Sequence, residues 1–244
     1  MAARALYARE AAEGQGGGAL RSGTGGASLR SMPVLLTFGD SNTHGTRPIT
    51  AAGVLQRHPP ADRWPDVAAA ALGPAWTLCP EGLPGRTTAL DDPVTGPHLN
   101  GLTGLRIALL THAPIDVLTV MLGTNDLKTR FGASPDRIAA GLAALLDLAL
   151  LPEMQARSGG FRILAIAPPP VAEVGVLAAQ FTGAAAKARA LAPRIAAVAQ
   201  ARGAAFLDAA AHAAVSPVDG VHLDARAHHA LGAAVAAAVR ALRP

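Results

Sequence analysis

From Pro33 onward, five short apolar runs alternate with helix-patterned segments, and that alternation limits the chain to a parallel sheet covered by helices on both faces. Val34–Phe38 reads as the first strand, Ala75–Cys79 as the second, ending at Pro80, and Ile115–Leu122 as the third. Only Asp116 and Thr119 interrupt the third run, as expected of a central strand buried on both faces. Phe161–Ala167 gives a fourth strand, closed by Pro168-Pro169-Pro170, through which neither helix nor strand continues. Ala204–Leu207 gives the fifth. Helical patterns cover residues 63–72, 102–110, 181–202 and 225–242, and Ser134-Pro135 opens another with a cap and a first-turn proline. Right-handed crossovers then lead to a three-layer α/β/α sandwich around a five-stranded, flavodoxin-like parallel sheet.

Half of the 244 residues are hydrophobic, which fills one sizeable core, and no internal linker separates two self-sufficient patterns. One domain is therefore expected over residues 32–244. Residues 1–31 are glycine-rich and without periodicity, so they read as a disordered extension; they lack the apolar stretch of a secretory signal. Met32 stands immediately before the first strand, where a shorter chain could begin. The formal net charge of +4 comes from arginines scattered singly, without a basic stripe, so no nucleic-acid partner is expected. Cys79 is the only cysteine, which excludes an intrachain disulfide and a thiolate zinc cluster and fits a cytoplasmic protein. No apolar run approaches the roughly 18–20 residues of a membrane span, so no membrane partner is expected either.

The chemistry-bearing residues fall at the carboxyl ends of the strands, where open α/β sheets bind ligands. Gly39-Asp40-Ser41 follows the first strand and Gly85 the second. Gly123-Thr124-Asn125-Asp126 follows the third, and Asp219-Gly220-Val221-His222 precedes the last helix. A serine, a histidine and a carboxylate are the parts that acyl transfer needs, and the Asp-x-x-His spacing sets Asp219 behind His222 in one loop. Asp208 and Asp224 are rival acids without that spacing, and Asp40 and Asp126 read as loop braces. The surroundings of Ser41 are not Gly-x-Ser-x-Gly, which argues against an α/β-hydrolase elbow. His228-His229 are adjacent helical residues pointing about 100° apart, so they share no ligand face and no metal or other cofactor is expected. Thr87 and Thr88 read as structural, and Arg86 as a bridge to Asp91 or Asp92 at a subunit contact. A non-catalytic flavodoxin-like binding module would use the same loops without turnover.

These blocks, in this order and spacing, resemble the SGNH (GDSL) hydrolases over the chain from Pro33 onward. The strings Glu81-Gly82-Leu83-Pro84-Gly85-Arg86-Thr87-Thr88 and Met121-Leu122-Gly123-Thr124-Asn125-Asp126-Leu127-Lys128 resemble their bacterial arylesterase/acyltransferase branch. The resemblance implies Ser41 as nucleophile, His222 as general base and acid, and Asp219 as its orienter. It implies an oxyanion hole from the N–H groups of Ser41 and Gly85 with the side-chain amide of Asn125. Asn42, His44, Thr46, Thr124, Lys128 and Val221 are expected to line the pocket. The implied substrates are short-chain acyl or aryl esters, with carbohydrate deacetylase and thioesterase or lysophospholipase as alternatives. A closed homo-oligomer is also implied. Acyl-transferring members of the branch carry tryptophans after the nucleophile, whereas this chain has His44 and Thr46 there. That implies a wetter site in which hydrolysis dominates over acyl transfer or perhydrolysis.

Overall fold

The computed structural model describes residues 32–242; the extension expected over residues 1–31 lies outside them. Five parallel strands run in the order β2-β1-β3-β4-β5. They are β1 (Val34–Gly39), β2 (Thr77–Gly82), β3 (Val117–Met121), β4 (Arg162–Ala167) and β5 (Ala205–Asp208). This is the flavodoxin-like order, with β1 and β3 adjacent at the point where the strand order reverses.

Besides the short helices α1 (Ser41–His44), α5 (Pro152–Ala156) and α6 (Ala184–Arg189), longer helices cover the sheet, and strict alternation along the strands divides the core in two. Leu36, Phe38, Leu118, Val120, Ile163 and Ala165 face helices α3 (Gly101–His112), α4 (Pro135–Ala149) and α7 (Leu191–Gln200). Leu35, Val117, Met121, Leu164 and Ile166 face α2 (Trp64–Leu72) and α8 (Ala225–Ala241). Helix α4 starts where the sequence requires, with the Ser134 side chain accepting from the Arg137 N–H at 3.2 Å and Pro135 in the first turn.

Two elements depart from the sequence expectation. Strand β2 does not stop at Pro80 but continues to Gly82, with Pro80 in register with Thr37. An edge strand uses only part of its N–H groups in the ladder, so the missing proline donor is tolerated there. The helix expected over residues 181–202 is divided. A 3₁₀ segment, Gly175–Phe181, precedes two short helices, Ala184–Arg189 and α7. Pro193 has no N–H to donate to the carbonyl of Arg189, so the first helix ends there and the proline falls in the first turn of the next.

No described helix is long and apolar enough to cross a membrane. His228 on α8 is fully buried, accepts the Trp64 N–H at 3.3 Å through Nδ1, and stands edge-on to His58 with ring centroids 5.0 Å apart. Burial first, then the neighbouring histidines 58, 222 and 229, push its pKa down to about 3 from 6.5. At this group the unfolded chain therefore binds a proton that the folded chain refuses, and its contribution to stability falls as pH drops from 6.5 towards 3. His228→Gln is expected to lower the slope of unfolding free energy against pH by about 1.4 kcal/mol per pH unit inside that window, by removing this positive contribution. Urea unfolding at several pH values measures this, and an unchanged slope would contradict a neutral buried His228.

Candidate active site

At the end of β1 the chain turns at once into a single helical turn, Ser41–His44. Only glycine fits at 39, since a Cβ there would lie 2.0 Å from Thr43 Oγ1 and 2.8 Å from the Met121 carbonyl oxygen. Asp40 caps the turn by accepting the Asn42 N–H at 2.9 Å. Ser41 is thus held at the sheet edge with its Oγ 3.0 Å from His222 Nε2, across 181 residues of sequence. His222 Nδ1 lies 2.6 Å from Asp219 Oδ2, and both side chains are buried. That carboxylate also accepts the N–H groups of Ile49, Val221 and His222 at 2.7–3.0 Å. Burial alone would raise its pKa, but these hydrogen bonds, led by the His222 side chain, hold it down at about 2. An ionised carboxylate only accepts, so Nδ1 carries the ring proton and Nε2 presents a lone pair to the Ser41 hydroxyl.

Gly85 follows β2 with φ 90°, a left-handed conformation that glycine adopts without strain. Asn125 opens a 3₁₀ turn after β3. Its Nδ2 donates to the Arg86 carbonyl at 3.0 Å and, more weakly, towards Asp40 Oδ2 at 3.4 Å. The loops carrying Gly85 and Asn125 are tied together by Asp126, which accepts the Thr88 N–H at 3.0 Å and its hydroxyl at 2.5 Å. Asp40 and Asp126 thus brace loops, as expected. Burial raises the pKa of each to about 6.

A cavity of about 160 Å³ opens onto Ser41, Gly85, Asn125 and His222. Thr46, Lys128 and Val221 are among its lining residues, and Asn42, His44 and Thr124 are not. Asn42 points the other way and clamps the histidine loop, donating to the Val221 carbonyl and accepting the Leu223 N–H, both at 3.0 Å. His44 lies 3.1 Å from the Thr46 hydroxyl through Nδ1, and Thr124 is buried at the start of the 3₁₀ turn. The rest of the wall comes from Ile49, Leu55, Pro84, Leu177, Gln180 and Phe181. It is mainly apolar, and His44 is not among its lining residues.

A protein-family model for the GDSL-like lipase/acylhydrolase family matches residues 37–230. The chain belongs to that family. This GDSL hydrolase is therefore an enzyme acting on carboxylic esters, and the solved structures it resembles agree. Est24, a carbohydrate acetylesterase from Sinorhizobium meliloti, is 35% identical with a TM-score of 0.82, over 86% of this chain and 100% of that one. The M. smegmatis aryl esterase is likewise 35% identical with a TM-score of 0.82, over the same shares of the two chains. A lipolytic G-D-S-L protein from Veillonella parvula, 16% identical with a TM-score of 0.60 over 86% of this chain and 99% of that one, shares the fold. A comparison with curated proteins gave no significant match.

The remaining residues singled out from the GDSL hydrolase sequence have other work. Arg86 does not reach Asp91 or Asp92. It is buried, donates to the carbonyls of Gly39 (2.9 Å) and Glu81, and stacks 4.0 Å from the Phe38 ring centroid. Asp92 pairs instead with Arg130 at 2.6 Å, and Asp91 accepts from Asn100 at 2.8 Å. The rival acids Asp208 and Asp224 cap backbone N–H groups of Ala210 and Ala227. His229 pairs with Asp62 at 2.8 Å. Among the described residues, no three histidine, cysteine or acidic side chains gather to hold a metal ion.

Proposed function

We propose that this protein is a serine esterase that cleaves small carboxylic esters through a covalent acyl-Ser41 intermediate. The observation that carries the reading is the linear array Ser41 Oγ–His222 Nε2 at 3.0 Å and His222 Nδ1–Asp219 Oδ2 at 2.6 Å. As Ser41 Oγ attacks the ester carbon, its proton passes to Nε2, and the carbonyl electron pair moves onto oxygen. The N–H groups of Ser41 and Gly85 and the Asn125 Nδ2 hydrogen that now reaches only weakly to Asp40 are the donors for that oxyanion. Collapse of the intermediate breaks the C–O bond, and His222 returns the proton to the departing alkoxide. Water then repeats the sequence on the acyl-enzyme and releases the acid.

The substrate is a short-chain acyl or aryl ester. The cavity of about 160 Å³ is close in size to the ~150 Å³ engineered apolar cavity that takes up one benzene. Acetyl esters of carbohydrates fit the same acyl space, and a carbohydrate acetylesterase is among the similar structures. A second reading, acyl transfer to an alcohol, is favoured by the apolar wall of Ile49, Leu55, Leu177 and Phe181, which would hold an alkyl or aryl acceptor beside the acyl-enzyme. The proposal includes a closed homo-oligomer, which would shelter Leu55, a pocket residue that is 71% exposed in the single chain. Light scattering would read its mass.

The reading is tested by p-nitrophenyl esters of increasing acyl length. Turnover should be highest for the two- to four-carbon acids and decline beyond, and a serine-reactive phosphonate should add one equivalent of mass at Ser41. A protein that turns over none of the esters and takes up no phosphonate is a binding module, and the proposal fails.

A further inference from the structure

We propose that Lys128 makes this a site for esters that carry an anionic oxygen, such as a carboxylate, on the part that enters the cavity. The inference rests on the esterase reading above and adds the class of substrate. Lys128 follows the 3₁₀ turn Asn125–Leu127 and lines the same cavity as Ser41 and His222. Its ammonium has three donors and no acceptor capacity. Among the described residues it forms no ion pair.

Every carboxylate close enough to influence it is already engaged. Asp92 holds Arg130 and the N–H groups of Val94 and Thr95. Asp126 holds Thr88, and Asp40 holds the Asn42 N–H with Asn125 beside it. The Phe181 ring centroid, 6.0 Å from Nζ, gives only a weak cation–π contact. Lys187, the other lysine of the chain, in contrast donates to the Ala133 carbonyl. A cation held half out of water with open donors is stabilised most by an acceptor of opposite charge, because charge-assisted hydrogen bonds are roughly twice as strong as neutral ones.

The groups around the ammonium are Arg130, Asp92, Asp40 and Asp126, with His222 on the same cavity. Burial, then Arg130, lowers the pKa of Lys128 to about 8 against the opposing pull of the three aspartates. The ammonium is therefore charged at neutral pH and loses its proton in a range where the enzyme can still be assayed.

Matched ester pairs test the proposal. One pair puts the charge on the alcohol side, 4-carboxyphenyl acetate against 4-carbamoylphenyl acetate. The other puts it on the acyl side, monomethyl succinate against methyl succinamate. In at least one pair, the ratio of kcat/KM for the anionic over the neutral ester should fall roughly 10- to 100-fold in Lys128→Met. Lys128→Arg should restore part of it. In the wild type the same ratio should fall as pH rises through about 8, where Lys128 discharges. Competitive inhibition by benzoate should exceed that by benzamide in the wild type, a readout independent of how well the variants fold. A ratio unmoved by substitution and by pH in both pairs, with benzamide binding as well as benzoate, overturns the proposal while leaving the esterase intact. No turnover of any of these esters by the wild type would instead overturn the esterase reading, and this inference with it.

Discussion

Ser41→Ala is expected to lower kcat for p-nitrophenyl acetate by roughly 10⁴- to 10⁶-fold without unfolding the protein. The expected loss is large because the Oγ is the atom that bonds to the ester carbon, and nothing else in the cavity can replace it. Thr46, the nearest hydroxyl in sequence that lines the cavity, has its oxygen 3.1 Å from His44 rather than from His222. The structural cost is small, since the Ser41 hydroxyl makes one hydrogen bond, to His222. The turn itself is held by the Asp40 cap and by the Ser41 carbonyl, which accepts the N–H groups of Gly45 and Thr46 at 2.9 Å. Loss of one such bond costs about 1 kcal/mol. The measurement is kcat alongside a thermal melt, and residual turnover within tenfold of wild type by a folded variant would remove Ser41 from the mechanism.

The sheet was legible because its strands are short, apolar and separated by helical periods. A parallel strand buried on both faces has little choice of residue, so Val117–Met121 and Arg162–Ala167 stand out from their surroundings. Pro80 misled because a proline ends a central strand but not an edge strand, and edge position is a property of the whole sheet. Pro193 carried the opposite signal. It marked a break in an apolar helical period that spanned residues 181–202 without another visible interruption except Gly183, which adopts φ 75°.

The candidate site divides along the same line. Ser41, Gly85, Asn125, Asp219 and His222 sit at strand ends or in a single tight loop, where local spacing decides where a side chain points. The pocket wall was illegible because Ile49 and Leu55 come from a long connection without period, and Leu177 and Phe181 from a 3₁₀ segment that the sequence pattern does not separate from the helix after it. Nearness in sequence was a poor guide for Asn42, whose amide clamps the backbone on either side of His222 rather than facing the cavity. Arg86 was misread for a related reason: its loop turns the guanidinium inward under the sheet edge, onto Phe38, where it serves carbonyls instead of surface carboxylates.

Asp219→Asn is the other substitution expected to abolish most activity, lowering kcat by roughly 10⁴-fold. Both oxygens of the carboxylate are saturated with donors: Oδ1 takes the N–H groups of Val221 and His222, and Oδ2 takes Ile49 N–H and His222 Nδ1. An amide has one oxygen, so whichever way it is turned, two of these donors meet an NH₂ group. With the amide nitrogen towards His222, the ring relieves the clash by moving its proton, so that Nδ1 accepts and Nε2 donates. An Nε2 that carries a proton cannot take one from Ser41, and the serine is left as an unactivated alcohol 3.0 Å away. With the amide nitrogen towards Val221 and His222, the backbone of the loop loses its acceptor, and the Asn42 clamp and the Ser216 N–H bond to the His222 carbonyl are left to hold the histidine in place. Because the carboxylate keeps its charge down to about pH 2, the wild type should show no loss from this group in any ordinary assay buffer. Raising the pH should therefore not rescue Asp219→Asn, as it would if the variant had merely shifted a titration. Proton NMR of the histidine ring would report the exchanged tautomer directly. A folded Asp219→Asn protein with kcat within tenfold of wild type would mean that His222 is oriented by another group.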